Sequence, residues 1–536
     1  MVLLLSLIFT AAGAAGQPVP QLRKQGTATQ LIVDGKPFLV LGGELGNSSS
    51  SDAEYMRPVW PKLARMNLNT VLMPVYWELI EPEEGRFDFT LVDALIVEAR
   101  KNNLRIVPLW FGTWKNSMST YVPAWVKKDQ KRFPRSMSAD GRGVEILSTF
   151  SREVMEADAR AFAAFMRRLR ETDTARTVIM AQVENEIGMI PDSRDRSPEA
   201  ERLFSGQVPA EMMSYLSRNK DSLTPELQAV WARNGFRSQG SWEEIFGKGP
   251  GTDEIFMAWY FARFTNRVAE AGKAEYPLPM FVNAALIRPG YMPGQYPSAG
   301  PLPHLMDVWR AGAPKIDMLS PDIYFPNVTE WVRKYDRAGN ALFIPEIQIN
   351  SLNPVQAMWA VAQHNSIGFS PFSIENADET AGGQIAAGYD LISQLSPLIL
   401  ENQGKGTMLG LIPDSPDPQR VPQELRLGGY KLNVTYERPA ATSAGAGAQP
   451  LPSGGLIIAT GPDEFLVAGT SLVVTFMPEA PGDPIAGLLS VEEGRFVNGV
   501  WKAGRRLNGD QTHQGRHIRL EGGKYGIQKV KLYRYR

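Results

Sequence analysis

The chain has 536 residues, a formal net charge of −1 at pH 7 and no cysteine, which excludes disulfides, thiolate metal sites and cysteine nucleophiles. With 43% apolar and 21% charged residues it has the make-up of a globular protein, and its length points to a large barrel plus a smaller domain. Near-neutral charge without long runs of one sign leaves no footprint for nucleic acid, and four histidines are too few for a histidine-rich metal centre, so no nucleic-acid partner, metal or cofactor is expected.

Residues 1–16, MVLLLSLIFTAAGAAG, read as a signal peptide. The apolar run is too short for a membrane span and ends in small residues, with AGA at 12–14 suiting cleavage, although no basic residue precedes it. The expectation is a secreted or periplasmic protein with no membrane span after cleavage. Eight short apolar stretches rich in β-branched residues follow: FLVLGGEL (38–45), TVLMPVYW (70–77), RIVPLWFG (105–112), TVIMAQVENE (177–186), PMFVNAAL (279–286), IDMLSPDIY (316–324), ALFIPEIQ (341–348) and IGFSPFSIE (367–375). Amphipathic segments such as LVDALIVEARKNN (91–103) separate them. Near-continuous apolar strands alternating with helices predict an α/β fold, a (β/α)8 TIM barrel over 25–400. A doubly wound sheet is the alternative, but no GxGxxG follows the first strand. The long gap at about 187–278 predicts a helical insertion on the catalytic face. After 400 the pattern changes to short alternating runs punctuated by Pro and Gly, predicting an antiparallel β-sandwich over 401–536 with a flexible loop at 441–455.

In such a barrel the C-terminal ends of the strands form the active site. Those ends carry Glu44, Tyr76, Trp77, Glu78, Trp114, Asn116, Asn185, Glu186, Asn283, Tyr324, Glu346 and Glu375. Carboxylates, amides and aromatics without a serine elbow or histidine cluster suit glycoside hydrolysis, where one carboxyl protonates the leaving oxygen and another attacks or activates water. In AQVENEIG (181–188), strand alternation points Gln182, Glu184 and Glu186 inward. Glu184 is then a structural acid one layer deeper and Glu186 stands at the rim. For Asn185 also to reach substrate, the backbone at 185–186 must leave the regular pleat.

VENEIG, PEIQ (345–348) and above all PVYWELIEPEEGRFDFT (74–90) resemble segments of the family 35 glycoside hydrolases, clan A barrels that are mainly β-galactosidases. The resemblance spans roughly residues 30–390. It implies Glu186 as acid/base, Glu346 as nucleophile, Asn185 on the sugar 2-hydroxyl, and Tyr76 and Tyr324 lining the pocket for the released sugar. Two segments depart from the family's usual form. In VPLWFGTWKNS (107–117), Trp114 and Asn116 stand where a galactose-binding glutamate is usual, and GGELGNSSSS (42–51) replaces the usual first-strand segment. Glu44 and Asn283 complete the expected substrate-binding set, with a carbohydrate as the partner. The sandwich resembles an accessory domain of a bacterial branch, some of whose members act on galactose-bearing plant polysaccharides such as xyloglucan. The function implied is a retaining exo-glycosidase releasing terminal β-D-galactose, in which Glu346 stays ionised while Glu186 carries a proton. The rivals are another clan A activity (β-glucosidase, β-mannosidase or α-L-arabinosidase) and a non-catalytic carbohydrate-binding barrel.

Overall fold

The computed structural model describes residues 18–337, 339–414, 419–437, 452–479 and 481–536. The expected signal peptide, and residues 441–451 of the expected loop, lie outside them. The eight apolar stretches become eight strands: β1 (Val40–Glu44), β2 (Thr70–Tyr76), β3 (Arg105–Lys115), β4 (Ala181–Asn185), β5 (Met280–Ala285), β6 (Met318–Ile323), β7 (Ile344–Ile347) and β8 (Gly368–Pro371). They pair in parallel in chain order and close, β8 on β1, into one barrel. Nearly every residue in them is buried, because helices cover the outside and side chains fill the inside. Alternation sorts the two faces. Val40, Leu72, Val107, Leu109, Phe281 and Met318 meet inside the barrel, where Leu31 and Val33 of an N-terminal antiparallel sheet (Gln21–Gln25, Ala28–Val33, Lys36–Phe38) plug its floor. Their neighbours Leu41, Val71, Ile106, Val282 and Leu319 pack outward against the helices.

Five helices matter for the site and its support: α1 (Thr90–Lys101), α2 (Arg152–Thr172), α3 (Pro250–Glu275), α4 (Asn353–Gln363) and α5 (Glu379–Asn402). Ser151 caps α2 by accepting the Val154 backbone N–H, and the buried Val154, Ala157, Ala161, Phe165 and Leu169 repeat at helical spacing. Helix α3 packs along α2, and at Gly272 the approach leaves no room for a side chain: a Cβ there would lie 2.3 Å from the Phe162 ring. This long helix is the barrel's own connection into β5. The part added between β4 and α3 is therefore shorter than 187–278 and consists of four short helices, Pro198–Phe204, Ala210–Arg218, Pro225–Arg233 and Trp242–Phe246.

After Asn402 come β9 (Met408–Leu411), β10 (Gln423–Leu427), β11 (Tyr430–Tyr436), β12 (Gly454–Gly461), β13 (Glu464–Thr470), β14 (Leu472–Pro478), β15 (Ile485–Val497), β16 (Val500–Leu507), β17 (Ile518–Leu520) and β18 (Gly526–Tyr535). They form a six-stranded sheet ordered β9-β12-β13-β18-β15-β16 and a four-stranded sheet ordered β10-β11-β14-β17. Period-two alternation explains how the larger sheet serves two cores. Ile457, Phe465 and Val467 face the second sheet, whereas Leu456, Ile458, Leu466 and Ala468 join the core around the barrel helices. The Gln394 side chain of α5 accepts the Phe496 N–H at 3.1 Å and that of Gln363 on α4 accepts the Gly410 N–H at 3.2 Å. The sandwich is thus fastened to the barrel by apolar packing. Leu466→Ala is expected to lower stability by about 2–5 kcal/mol, as for a fully buried leucine. Urea unfolding measures this, and a loss well under 1 kcal/mol would mean that the sheet's outer face is not packed.

Candidate active site

Strand β4 ends irregularly. Glu184 has φ 60° and Glu186 φ 44°, both left-handed values that non-glycine residues adopt at a cost of roughly 1–3 kcal/mol. Pairing with β3 jumps from Trp110↔Val183 to Lys115↔Asn185, so β3 bulges outward beside the turn. The break in the pleat expected at 185–186 is present and begins at 184. It has a consequence that simple alternation misses: Glu184 does not face the barrel interior. Its carboxyl is turned outward to α2, where it accepts the Trp114 N–H at 2.8 Å and shares a hydrogen bond with Asp158. Asp158 in turn accepts from Trp110 Nε1 (2.8 Å), the Thr113 N–H (2.8 Å) and Thr113 Oγ1 (2.5 Å). Burial and the adjacent Asp158 charge hold the Glu184 carboxyl well above the usual carboxylate range, so it keeps its proton and donates it to Asp158. Glu184 remains a structural acid, but outside the barrel.

Glu186 turns the other way. Its carboxylate accepts the Asn116 amide, its N–H donates to Asn283 Oδ1 at 3.0 Å, and its carbonyl accepts the Ser117 N–H at 3.0 Å. The Asn283 amide nitrogen donates to Asp322 at 2.7 Å. Across the barrel, Glu346 accepts the Tyr324 hydroxyl and a hydrogen bond from Glu44. Strand β7 is irregular between Ile344 and Ile347, which brings Glu346 inward beside Asp322. Carboxylate oxygens of Glu186, Asp322 and Glu346 lie within 4.8 Å of one another, with Glu186 5% and Glu346 3% exposed. Like charges so close and so buried resist ionising together. Burial first, then the facing Glu186 charge, push Glu346 up to about 7, against the pull of Lys115, Tyr324 and Glu44. Burial and the Glu346 charge hold Glu44 and Asp322 well above the usual range. The expectation that Glu346 stays ionised meets an opposing push from the acids around it, Glu44, Glu186 and Asp322.

Asn185 is fully buried beside this cluster, and neither end of its amide meets a protein partner among the described residues. The other expected substrate contacts divide. Tyr324 and Asn116 are in the site. Tyr76, buried at the end of β2, is stacked on Tyr121 at 5.6 Å with its hydroxyl 3.1 Å from Ser50 Oγ. Both ends of the Asn283 amide are taken, so it positions Glu186 and Asp322. Trp114 is corrected outright: it shares the outward face of Ile106 and Trp110, where it is fully buried against Phe261 (5.1 Å) and Phe264 (4.5 Å) of α3 and offers no face to a sugar. Glu375 latches loops by accepting the Gly46 N–H (2.9 Å) and Ser49 Oγ (2.5 Å). Trp77 is core, its indole donating to Glu81 at 2.8 Å. Glu78 pairs with Lys127 at 3.3 Å. Two residues escaped the sequence reading. Asp322 ends an apolar run in LSPDIY, the same signal that singled out Glu186. Lys115 is the lone cation in VPLWFGTWKNS.

The closed parallel barrel with paired carboxylates at the ends of β4 and β7 defines the class. Residues 30–249 match the glycosyl hydrolases family 35, and residues 385–519 match a domain of unknown function, DUF5597. The family 35 match covers the first half of the barrel, which carries Glu44, Lys115, Asn185 and Glu186. The β-galactosidase of Xanthomonas manihotis is 29% identical over 204 residues, 36% of this chain and 30% of that protein. The human β-galactosidase-1-like protein 3 is 27% identical over 207 residues, 37% of this chain and 29% of that protein. The chain thus spans under a third of the length of either. A solved β-galactosidase from Rahnella sp. R3 aligns with a TM-score of 0.48 at 15% identity, over 68% of this chain and 57% of that one.

Because the folded-state pKa of Glu184 is raised, its contribution to stability is complete below about pH 4.3 and is lost as pH rises through the folded value. Glu184→Gln still donates to Asp158 and cannot ionise. The stability difference between about pH 5 and about pH 8, read from urea unfolding, is expected to shrink in this variant. An unchanged difference means that Glu184 carries no such proton.

Proposed function

We propose that this chain is a retaining, exo-acting glycosidase that releases terminal β-D-galactose from oligo- or polysaccharides. The observation that carries the reading is the proximity of Glu186 and Glu346, one oxygen of each within 4.8 Å, both buried at the C-terminal end of the barrel. Carboxyls that perform direct displacement stand roughly 5–5.5 Å apart, whereas those that admit an intervening water stand roughly 6.5–9.5 Å apart. In the first step Glu186 gives its proton to the glycosidic oxygen, and the Glu346 carboxylate attacks the anomeric carbon. The bond to the aglycone breaks, the alcohol departs, and a glycosyl ester forms on Glu346. In the second step Glu186, now a carboxylate, takes a proton from water whose oxygen attacks the same carbon. The ester bond breaks, the sugar leaves with its configuration retained, and both groups return to their starting states. The unpartnered Asn185 amide is free for the 2-hydroxyl. Burial of both carboxyls suits one terminal sugar in a blind pocket. The β-galactosidase names of the two curated relatives support the choice of sugar, and the accessory sandwich accords with plant cell-wall glycans as substrates.

Glu346→Gln is expected to abolish hydrolysis of nitrophenyl β-galactoside while sugar binding persists. Ordinary turnover by this variant would remove Glu346 from the nucleophile's place. Glu186→Ala should lose about 10²–10⁴-fold in kcat on substrates with poor leaving groups, with azide restoring turnover and giving the β-glycosyl azide. An α-azide product contradicts retention. Since protonated Glu346 cannot attack, kcat/KM is expected to fall as pH drops below about 7. A panel of nitrophenyl glycosides decides the sugar, and absence of release from the β-galactoside sinks that assignment.

A further inference from the structure

The two segments that depart from the family's usual form each bring a charged side chain into the site, and the displacement steps leave both unused. Glu44 is the last residue of β1 and Lys115 the last of β3, on either side of β2. Lys115 is 5% exposed, and its ammonium lies 5.1 Å above the ring of Phe111, which faces the barrel interior. The backbone fixes this placement. The Lys115 carbonyl accepts the Met118 N–H at 3.0 Å and the Lys115 N–H donates back at 2.8 Å. Between them Asn116 and Ser117 have φ of 50° and 68°, the sign pattern of a type I′ turn. Two consecutive left-handed residues, neither of them glycine, are costly and persist where the surroundings impose them. The same turn sends the Asn116 amide to Glu186 and sets Lys115 opposite Asn185.

The groups around Glu346 are Glu44 on β1, Lys115 on β3, Glu186 on β4, Asp322 on β6 and Tyr324 just beyond it. Four carboxyls and one ammonium share the space. Fully ionised, the cluster would hold a net charge of about −3 in a low-dielectric pocket, which burial forbids. The Lys115 charge acts on Glu44, Asp322 and Glu346 alike. We propose that Lys115 and Glu44 are positioning residues for the nucleophile: the ammonium is the counter-ion, and Glu44 as a neutral acid is the hydrogen-bond donor, that together keep Glu346 ionised and aimed at the anomeric carbon. This rests on Glu346 being the nucleophile.

The test compares wild type, Lys115→Met, Lys115→Gln and Lys115→Arg in the full-length chain. If Lys115 only packs its stem on Phe111, methionine replaces it with no change in pH profile. If it is the counter-ion, the acid limb of kcat/KM on nitrophenyl β-galactoside moves up by about 1 unit or more in the Met and Gln variants. The Arg variant returns it toward wild type. Glu44→Gln, whose amide still donates, is expected to retain about tenfold more kcat than Glu44→Leu, the worth of one hydrogen bond to a charged group. A second readout does not need turnover. In protein labelled with [δ-13C]glutamate, the Glu346 carboxyl resonance, assigned by its loss in Glu346→Gln, should titrate at higher pH in Lys115→Met than in wild type. An unmoved acid limb together with an unmoved carboxyl titration overturns the proposal. A wild-type protein inert on every glycoside would overturn the glycosidase reading instead, and the titration would still decide the role of Lys115.

Discussion

Closing eight strands into a barrel forces Glu44, Glu186, Asp322 and Glu346 into one buried space, and their mutual repulsion is what the surrounding structure answers. Each is met by a donor, a proton or a cation: Asn116 on Glu186, Tyr324 and Glu44 on Glu346, Asn283 on Asp322, and the Lys115 ammonium acting on three of them. Without these, the carboxyls would take up protons until none could attack. With them, one carboxylate can form beside one acid, the state that the proposed double displacement requires. A second pair, Glu184 and Asp158, solves the same problem differently. It lies outside the barrel, sealed from substrate, and one proton shared between the two acids turns repulsion into a bond.

Backbone irregularity aims several of these groups. The left-handed residues Glu184 and Glu186, the turn at Asn116–Ser117 and the irregular pairing of β7 all lie at the C-terminal end of the barrel. Regular alternation alone carries Glu44, Tyr76, Asn283 and Asp322 inward. Alternation nominally points Glu186 inward as well, and it keeps that direction although Glu184 turns out; Glu346 reaches the same space because β7 breaks the pleat. The smooth interior below, where the N-terminal sheet plugs the floor, holds these distortions in place. On the outside, α4 and α5 rest against the six-stranded sheet of the sandwich, so the domain bearing no catalytic group still braces the half of the barrel next to β8.

The eight barrel strands, their order and the change to antiparallel strands after residue 400 are legible in the sequence, because apolar periodicity is a local property of the chain. The sequence also shows which carboxylates end apolar runs, and the short segments resembling family 35 single out Glu186 and Glu346. Only the tertiary structure decided which way each side chain faces once the pleat breaks. Glu184 reads as inward by alternation and is turned outward where β4 breaks; Trp114 stands near a strand end yet packs outward, on the face of Ile106 and Trp110. Asn283 reads as a sugar contact, yet it spends its amide on Glu186 and Asp322. Lys115 is unremarkable as a letter in an apolar run; it acquires a role because barrel closure sets it facing acids from β1, β6 and β7, up to about 230 residues away in the chain. Charge interactions depend on distance in space and on burial, and neither quantity is written in the order of the residues.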